Sequence, residues 1–163
     1  MTIGTLVEKM MVFYNGNLHD INHFLKVHAY ARTIGELEGL DPLTQQTLEV
    51  AAIVHDIACP LCREKYGNTN GKHQEAQGEA LAREFLSGMD CPDGMAERVC
   101  YLVAHHHTYT GVDGMDYQIL LEADFLVNAD ESGMGRQAIS NALQKVFKTS
   151  SGIRLLKEIY QVA

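Results

Sequence analysis

Apolar and polar positions recur with the period of an α-helix almost throughout the chain, and no sustained period-two run appears. The pattern predicts a first helix over about Ile3 to Phe13, broken at Asn15-Gly16-Asn17. A second covers about Leu18 to Leu37 and sets Ile21, Phe24, Leu25, His28, Ala31 and Arg32 on one stripe. It ends at Gly39. Asp41-Pro42 then reads as an N-cap with proline in the first helical position. The third helix carries Leu43, Thr47, Val50, Ala51 and Val54 on one face and must stop before Pro60.

Cys59 to Gly71, with Gly67, Asn68, Asn70 and Gly71, reads as a loop long enough to be functional. A fourth helix spans about Lys72 to Leu86, and after the turn Gly88 to Gly94 a fifth covers about Met95 to His106. Thr108 to Gly114 is a second polar loop. A long helix follows from about Asp116 to Ala129, and the C-terminal part is helical with a break at Ser150-Ser151-Gly152. The expected architecture is therefore all-α, a compact bundle of about seven helices. With no repeat, low-complexity stretch or dividing linker, residues 1–163 are expected to form one domain, the helices of 132–163 packing on the rest.

Composition narrows the functional classes. A chain of 163 residues with 46% hydrophobic and 21% charged residues is ordinary for a globular domain and long enough to bury a sizeable core. No apolar run approaches a membrane span, and the N-terminus has no signal-peptide pattern, so the expected location is the cytoplasm. There Cys59, Cys62, Cys91 and Cys100 would stay thiols. The net charge of −8 argues against a nucleic-acid polymer as partner, because such binding needs Lys and Arg to release counterions. An acidic protein still accepts an anionic phosphate where bound divalent cations reverse the local field. Met10, Met11 and Phe13 read as core or dimer-contact residues, which leaves a homodimer open.

The chemistry lies in the placement of the histidines. His28 sits on the apolar stripe of the second helix. His55-Asp56 follows directly after Val50-Ala51-Ala52-Ile53-Val54, His73 opens the fourth helix, and His105, His106 and His107 close the fifth. Asp124 lies within the apolar run from Ile119 to Val127. A buried carboxylate is costly unless paired, hydrogen-bonded or bound to metal. Several helices each offering an inward His or Asp point to a divalent cation, held as helix bundles hold such ions, by side chains from facing helices.

The order His28, His55-Asp56, Asp124 resembles the HD superfamily of metal-dependent phosphohydrolases, over about residues 18–128. It is also similar to a longer variant with two more histidine stations, seen in bacterial dinucleoside-tetraphosphate hydrolases and in the HD-GYP cyclic-dinucleotide phosphodiesterases. His73, in Lys72-His73-Gln74-Glu75-Ala76-Gln77-Gly78, and the run His105-His106-His107 match those stations. The resemblance implies a two-metal centre with Asp56 bridging and His55 and Asp56 at the heart of the chemistry. Its implied ligands are His28, His55, Asp56, His73, His105, His106 and Asp124. The implied ions are Fe or Mn, with Mg, Co, Ni and Zn as further candidates. Among the three adjacent histidines, His106 is favoured with His105 as its neighbour, and His107 reads as a loop residue.

The implied reaction is hydrolysis of a phosphoester or phosphoanhydride of a nucleotide-like small molecule by a metal-activated water. Arg63, Lys65 and Lys72, on or beside the loop after His-Asp, are the candidate phosphate binders, with Arg32 a further one. Two departures stand out. Many relatives carry Gly-Lys two residues after His-Asp, whereas this chain reads His55-Asp56-Ile57-Ala58-Cys59-Pro60. Asp113-Gly114-Met115-Asp116-Tyr117 only half resembles the Asp-Gly-x-Gly-Tyr-Pro of the cyclic-dinucleotide enzymes, so that substrate is not inferred. The missing lysine keeps a non-catalytic metal- and nucleotide-binding sensor module in view, and a di-iron oxygenase of HD type shares the ligand set. Cys59-Pro60-Leu61-Cys62 lacks the β-α-β setting of a redox motif and is discounted.

Overall fold

The computed structural model describes residues 1–163, which form α1 (Ile3–Tyr14), α2 (Leu18–Glu38), α3 (Pro42–Val54), α4 (Cys59–Tyr66), α5 (Gly71–Leu86), α6 (Met95–Val103), α7 (Met115–Glu131), α8 (Arg136–Lys145) and α9 (Ser150–Tyr160). The all-α expectation holds. Most of these helices begin or end at a side chain or glycine suited to the task. The Asp41 carboxylate accepts from the backbone N–H groups of Leu43 and Thr44, and Pro42 occupies the first turn of α3. Gly39 closes α2 at φ 72°, in the left-handed region.

The helix count rises to nine for two local reasons. The segment expected as a loop after His-Asp opens with α4: Pro60 falls in its first turn, where a missing N–H costs nothing, and so starts a helix rather than merely ending one. Ser150-Ser151-Gly152 is likewise a start and not a break, since Thr149 caps α9 by accepting from the Gly152 N–H at 2.9 Å. In the other direction, α6 ends at Val103, short of the histidines. His105 and His106 turn their Nδ1 atoms back onto the carbonyls of Tyr101 and Val103, at 2.7 Å and 2.8 Å, and so satisfy the free end of the helix.

Three helices form the centre. α2 packs most extensively against α3 and α7, while α3 also packs on α6 and α7 and α5 on α6. Their apolar faces share one core, with Phe24, Val27, Ala31 and Ile34 of α2 meeting Val50, Ala51, Ile53 and Val54 of α3 and Leu120, Ala123 and Val127 of α7. α1 packs on α2 and α3, and α9 on α2 and α7. No helix is long and apolar enough to cross a membrane.

One buried carboxylate braces the C-terminal helices. Glu122 of α7 is 0% exposed and accepts from the Lys148 N–H at 2.7 Å, the Thr149 N–H at 3.0 Å and the Thr149 hydroxyl. Glu122→Ala leaves two backbone N–H groups without a partner, so it should lower stability by about 3 kcal/mol and Tm by roughly 6–12 °C. A thermal melt of the variant beside wild type checks this, and a Tm within a degree of wild type would remove Glu122 from the account of the fold.

Candidate metal centre

Four helices carry imidazole and carboxylate groups to one point. The apolar run of α3 is buried, so its last turn delivers His55 and Asp56 into the interior. The Ile57 N–H then bonds back to the Val54 carbonyl at 3.0 Å and the Cys59 N–H to that of Asp56 at 2.9 Å, closing a tight turn before α4. Tyr14 pins the turn from α1, its hydroxyl donating to the Asp56 carbonyl at 3.1 Å. α2 adds His23, α7 adds Asp124, and the turn after α6 adds His106 and His107.

The resulting cluster has two lobes that share Asp56. In one, His23 Nε2 lies 3.2 Å from His55 Nε2, 3.2 Å from Asp124 Oδ1 and 3.3 Å from Asp56 Oδ2. His55 Nε2 is 3.4 Å from Asp124 Oδ1. In the other, His106 Nε2 is 3.3 Å from Asp56 Oδ1, and the donor atoms of Asp56, His106 and His107 all fall within 4.8 Å of one another. Asp124 is steadied one turn along α7 by Asn128, whose amide donates to Oδ1 at 2.8 Å.

The outer nitrogens of the rings are tied down. His23 Nδ1 meets Glu131 Oε2 at 2.8 Å, His55 Nδ1 donates to the Ala52 carbonyl at 2.8 Å, and His106 Nδ1 donates to the Val103 carbonyl. A ring that donates through Nδ1 presents Nε2 as its lone-pair nitrogen when neutral. All three Nε2 atoms face inward, the arrangement in which the remote N–H of a metal-ligating histidine is held by a carboxylate or carbonyl.

Charge responds to this crowding. Burial pushes the Asp56 and Asp124 carboxyls up, but the facing imidazoles outweigh it: His55 and His106 hold Asp56 far below the usual carboxylate range, and His23 and His55 do the same for Asp124. Burial would lower His23, yet its contact with Asp124 and the charge of Asp56 raise it to about 9. His107 goes the other way. Burial, reinforced by neighbouring His106, brings it down to about 4, so its ring is neutral and free to coordinate at neutral pH.

These residues fit a divalent cation. His106 Nε2 and His107 Nε2 are buried without a hydrogen-bond partner, and His23 and His55 turn two ring nitrogens toward each other beside two carboxylates. Protons bridge such a cluster only in part, whereas a cation uses every lone pair at once. Imidazole nitrogen with carboxylate oxygen suits Mn, Fe, Co, Ni or Zn.

The cluster opens on a cavity of about 230 Å³ whose wall includes His23, Asp56, His107, Arg63, Gln74 and Glu131. Arg63 of α4 stands at its rim, 40% exposed, with a two-pronged ion pair to Asp20 of α2: Nη1 to Oδ2 at 2.6 Å and Nη2 to Oδ1 at 2.7 Å.

Of the residues singled out from the sequence, His55, Asp56, His106 and Asp124 meet in this cluster and Arg63 lines its cavity. Three expected ligands lie elsewhere. The buried face of α2 runs through Asp20, His23, Phe24, Val27, Ala31 and Ile34, which turns His28 to the side, where Nε2 meets Glu49 Oε2 at 2.8 Å. His23 occupies the place expected for His28. His73 stacks on Tyr66 with ring centroids 3.9 Å apart and contacts Asn68 through Nδ1, while the next residue, Gln74, lines the cavity. His105 stacks on Tyr101, and His107, read as a loop residue, is the one beside His106 in the cluster. Lys65 lies over the Tyr66 ring and Lys72 is exposed, both outside the cavity wall, and Arg32 pairs with Glu36. Arg98 binds Asp113 and Asp116 together, so the stretch that half resembles the cyclic-dinucleotide motif acts as a brace.

Sequence reading missed His23, His107, Glu131 and Gln74. Two signals were present: His23 stands four residues before Val27 and eight before Ala31, on the stripe that is buried, and Glu131 falls seven residues after Asp124, on the same face of α7.

The family model for the HD domain matches residues 20–140. Among solved structures, the chain is similar to a predicted HD superfamily hydrolase from an uncultured Thermotogales bacterium, with a TM-score of 0.67 and 24% identity over 98% of this chain and 83% of that one, a likeness of fold. No curated protein matches the chain.

Proposed function

Because this chain belongs to the HD domain family, we propose that it is a metal-dependent phosphohydrolase that cleaves a phosphoester or phosphoanhydride of a nucleotide-like small molecule. The observation that carries the reading is the convergence of His23, His55, Asp56, His106, His107 and Asp124 from four helices, with inward nitrogens left without partners. His23, His55, Asp56 and Asp124 would hold one cation, and Asp56, His106 and His107 a second. Bound there, such cations supply Lewis acidity and bring the pKa of water toward neutrality.

The chain's own residues supply the rest. Asp56 reaches both lobes, with Oδ2 3.3 Å from His23 Nε2 and Oδ1 3.3 Å from His106 Nε2 and 3.6 Å from His55 Nε2, so its position sets both at once. Glu131, Ala52 and Val103 fix the ring orientations of His23, His55 and His106 before any ligand arrives. Arg63 provides a cation at the cavity wall, where the chain has no lysine directly after His-Asp to offer one. Asp20 takes one hydrogen from each terminal nitrogen and leaves the others for a phosphate.

Arg63→Ala should raise KM about tenfold or more at unchanged metal content, because a charge-assisted contact is worth about 1.5–3 kcal/mol. Lys65→Ala and Lys72→Ala should each change it less than about twofold, as exposed charges outside the cavity. Steady-state kinetics on the three variants separates them. The reading itself is tested by phosphate release from a panel of nucleotides and dinucleoside polyphosphates, run anaerobically with Mn²⁺ or Fe²⁺. Metal-dependent release that EDTA abolishes is expected, and no release from any compound by protein shown to hold metal would overturn it.

A further inference from the structure

We propose that Gln74 supplies an oxygen ligand, through Oε1, to the cation position formed by Asp56, His106 and His107, and that this position is the weaker of the two. The inference rests on the two-cation reading above.

Only four buried side-chain polar atoms in the protein lack a hydrogen-bond partner: Gln45 Oε1, Gln74 Oε1, His106 Nε2 and His107 Nε2. Three of the four belong to residues gathered at one place. Gln74 is 5% exposed, and its amide has a defined direction, since Nε2 donates to the Thr69 carbonyl at 2.8 Å. A carbonyl can only accept, so the oxygen is the end left free. A buried amide oxygen left without a donor is costly, so a ligand that uses its lone pair is favoured there.

The first turn of α5 is stitched to the histidine turn. Glu75 Oε1 accepts from the His107 N–H at 3.0 Å and from the Thr108 hydroxyl at 2.9 Å. Gly71 approaches His107 so closely that a Cβ there would stand 2.8 Å from the Cβ and Cγ of that ring, so no larger residue fits. Gln74 is three residues beyond Gly71, on the same face of the helix, and lines the same cavity as Asp56 and His107. His73 is turned onto Tyr66, so α5 presents an amide oxygen, and not an imidazole, to this corner.

Charge then ranks the two positions. The lobe of His23 and His55 has two carboxylates, Asp56 and Asp124, whereas the lobe of His106 and His107 has only the shared Asp56. A neutral amide oxygen adds a hard donor without charge, which suits Mn²⁺ better than Zn²⁺ and leaves the affinity lower.

The test is Mn²⁺ titration of the full chain after stripping with EDTA, followed by calorimetry and by Mn²⁺ electron paramagnetic resonance. Wild type should take two Mn²⁺ per chain with separable affinities. Gln74→Ala should keep the tighter site within about twofold and weaken the second by about tenfold or more. Gln74→Glu restores an oxygen and adds charge, so it should tighten the second site by about tenfold, a gain that a misfolded variant cannot mimic. Two Mn²⁺ with wild-type affinities in both variants would overturn the role of Gln74, its oxygen then being satisfied by water, while leaving the two-cation reading intact. A single Mn²⁺ in wild type would overturn both.

Discussion

Asp56→Ala should yield a folded protein that retains no divalent cation and hydrolyses phosphate substrates at least about 10³-fold more slowly than wild type, a loss of about 4 kcal/mol in transition-state stabilisation. Asp56 is the one carboxylate common to both lobes, 3.3 Å from His23 Nε2 on one side and 3.3 Å from His106 Nε2 on the other. No neighbour can substitute for it, because among the cluster histidines Asp124 makes close contact with His23 and His55, and neither His106 nor His107. The fold should survive. In the metal-free cluster two carboxylates are crowded together, and removing one relieves repulsion as well as attraction. Metal analysis, phosphate release and a thermal melt on the same sample separate the outcomes. An Asp56→Ala protein with wild-type turnover would place the chemistry outside this cluster.

His23→Ala and His28→Ala should differ by orders of magnitude although the two residues are five apart on one helix. His23 points Nε2 at Asp124, Asp56 and His55, with its outer nitrogen held by Glu131, so its loss should weaken the cation in that lobe by about 100-fold or more and take activity with it. His28 touches Glu49 at the side of the bundle. Its loss leaves a carboxylate without one partner and should cost about 1 kcal/mol, or roughly 2–4 °C in Tm, with metal content unchanged. Metal analysis after gel filtration reads the difference directly. Metal lost from His28→Ala and kept in His23→Ala would reverse the assignment of α2.

The contrast between these two histidines also shows where sequence reading stops. The helical class, and the arrival of His55-Asp56 at the end of a buried apolar run, were legible because period and burial agree there. α2 is different. It is 21 residues long and carries apolar residues on two overlapping stripes, one through Ile21, Leu25 and His28, the other through Phe24, Val27, Ala31 and Ile34. Which stripe turns inward is decided by packing on α3 and α7, and local pattern does not contain that choice. α5 shows the same problem at its start: neighbouring residues point roughly 100° apart, so a correctly placed helix can still present Gln74 where the spacing predicts His73. The histidine run was harder still. α6 ends at Val103, and beyond that point helical spacing no longer says which of His105, His106 and His107 faces Asp56. The proline after His-Asp forbids continuation of α3 and is equally fit to start α4, and local pattern does not choose between the two, although α4 is what brings Arg63 to Asp20.

His23, His55, Asp56, His106, His107 and Asp124 are proposed to form one divalent-cation centre, with Asp56 shared between two positions. The most direct measurement is anomalous diffraction at the manganese edge from crystals of the protein grown with Mn²⁺. Two anomalous peaks are expected, one on either side of the Asp56 carboxylate, the first among His23, His55 and Asp124 and the second beside His106 and His107. Manganese bound instead at His28 and Glu49 or beside His73, or no peak in the cluster at full Mn²⁺ saturation, would contradict it.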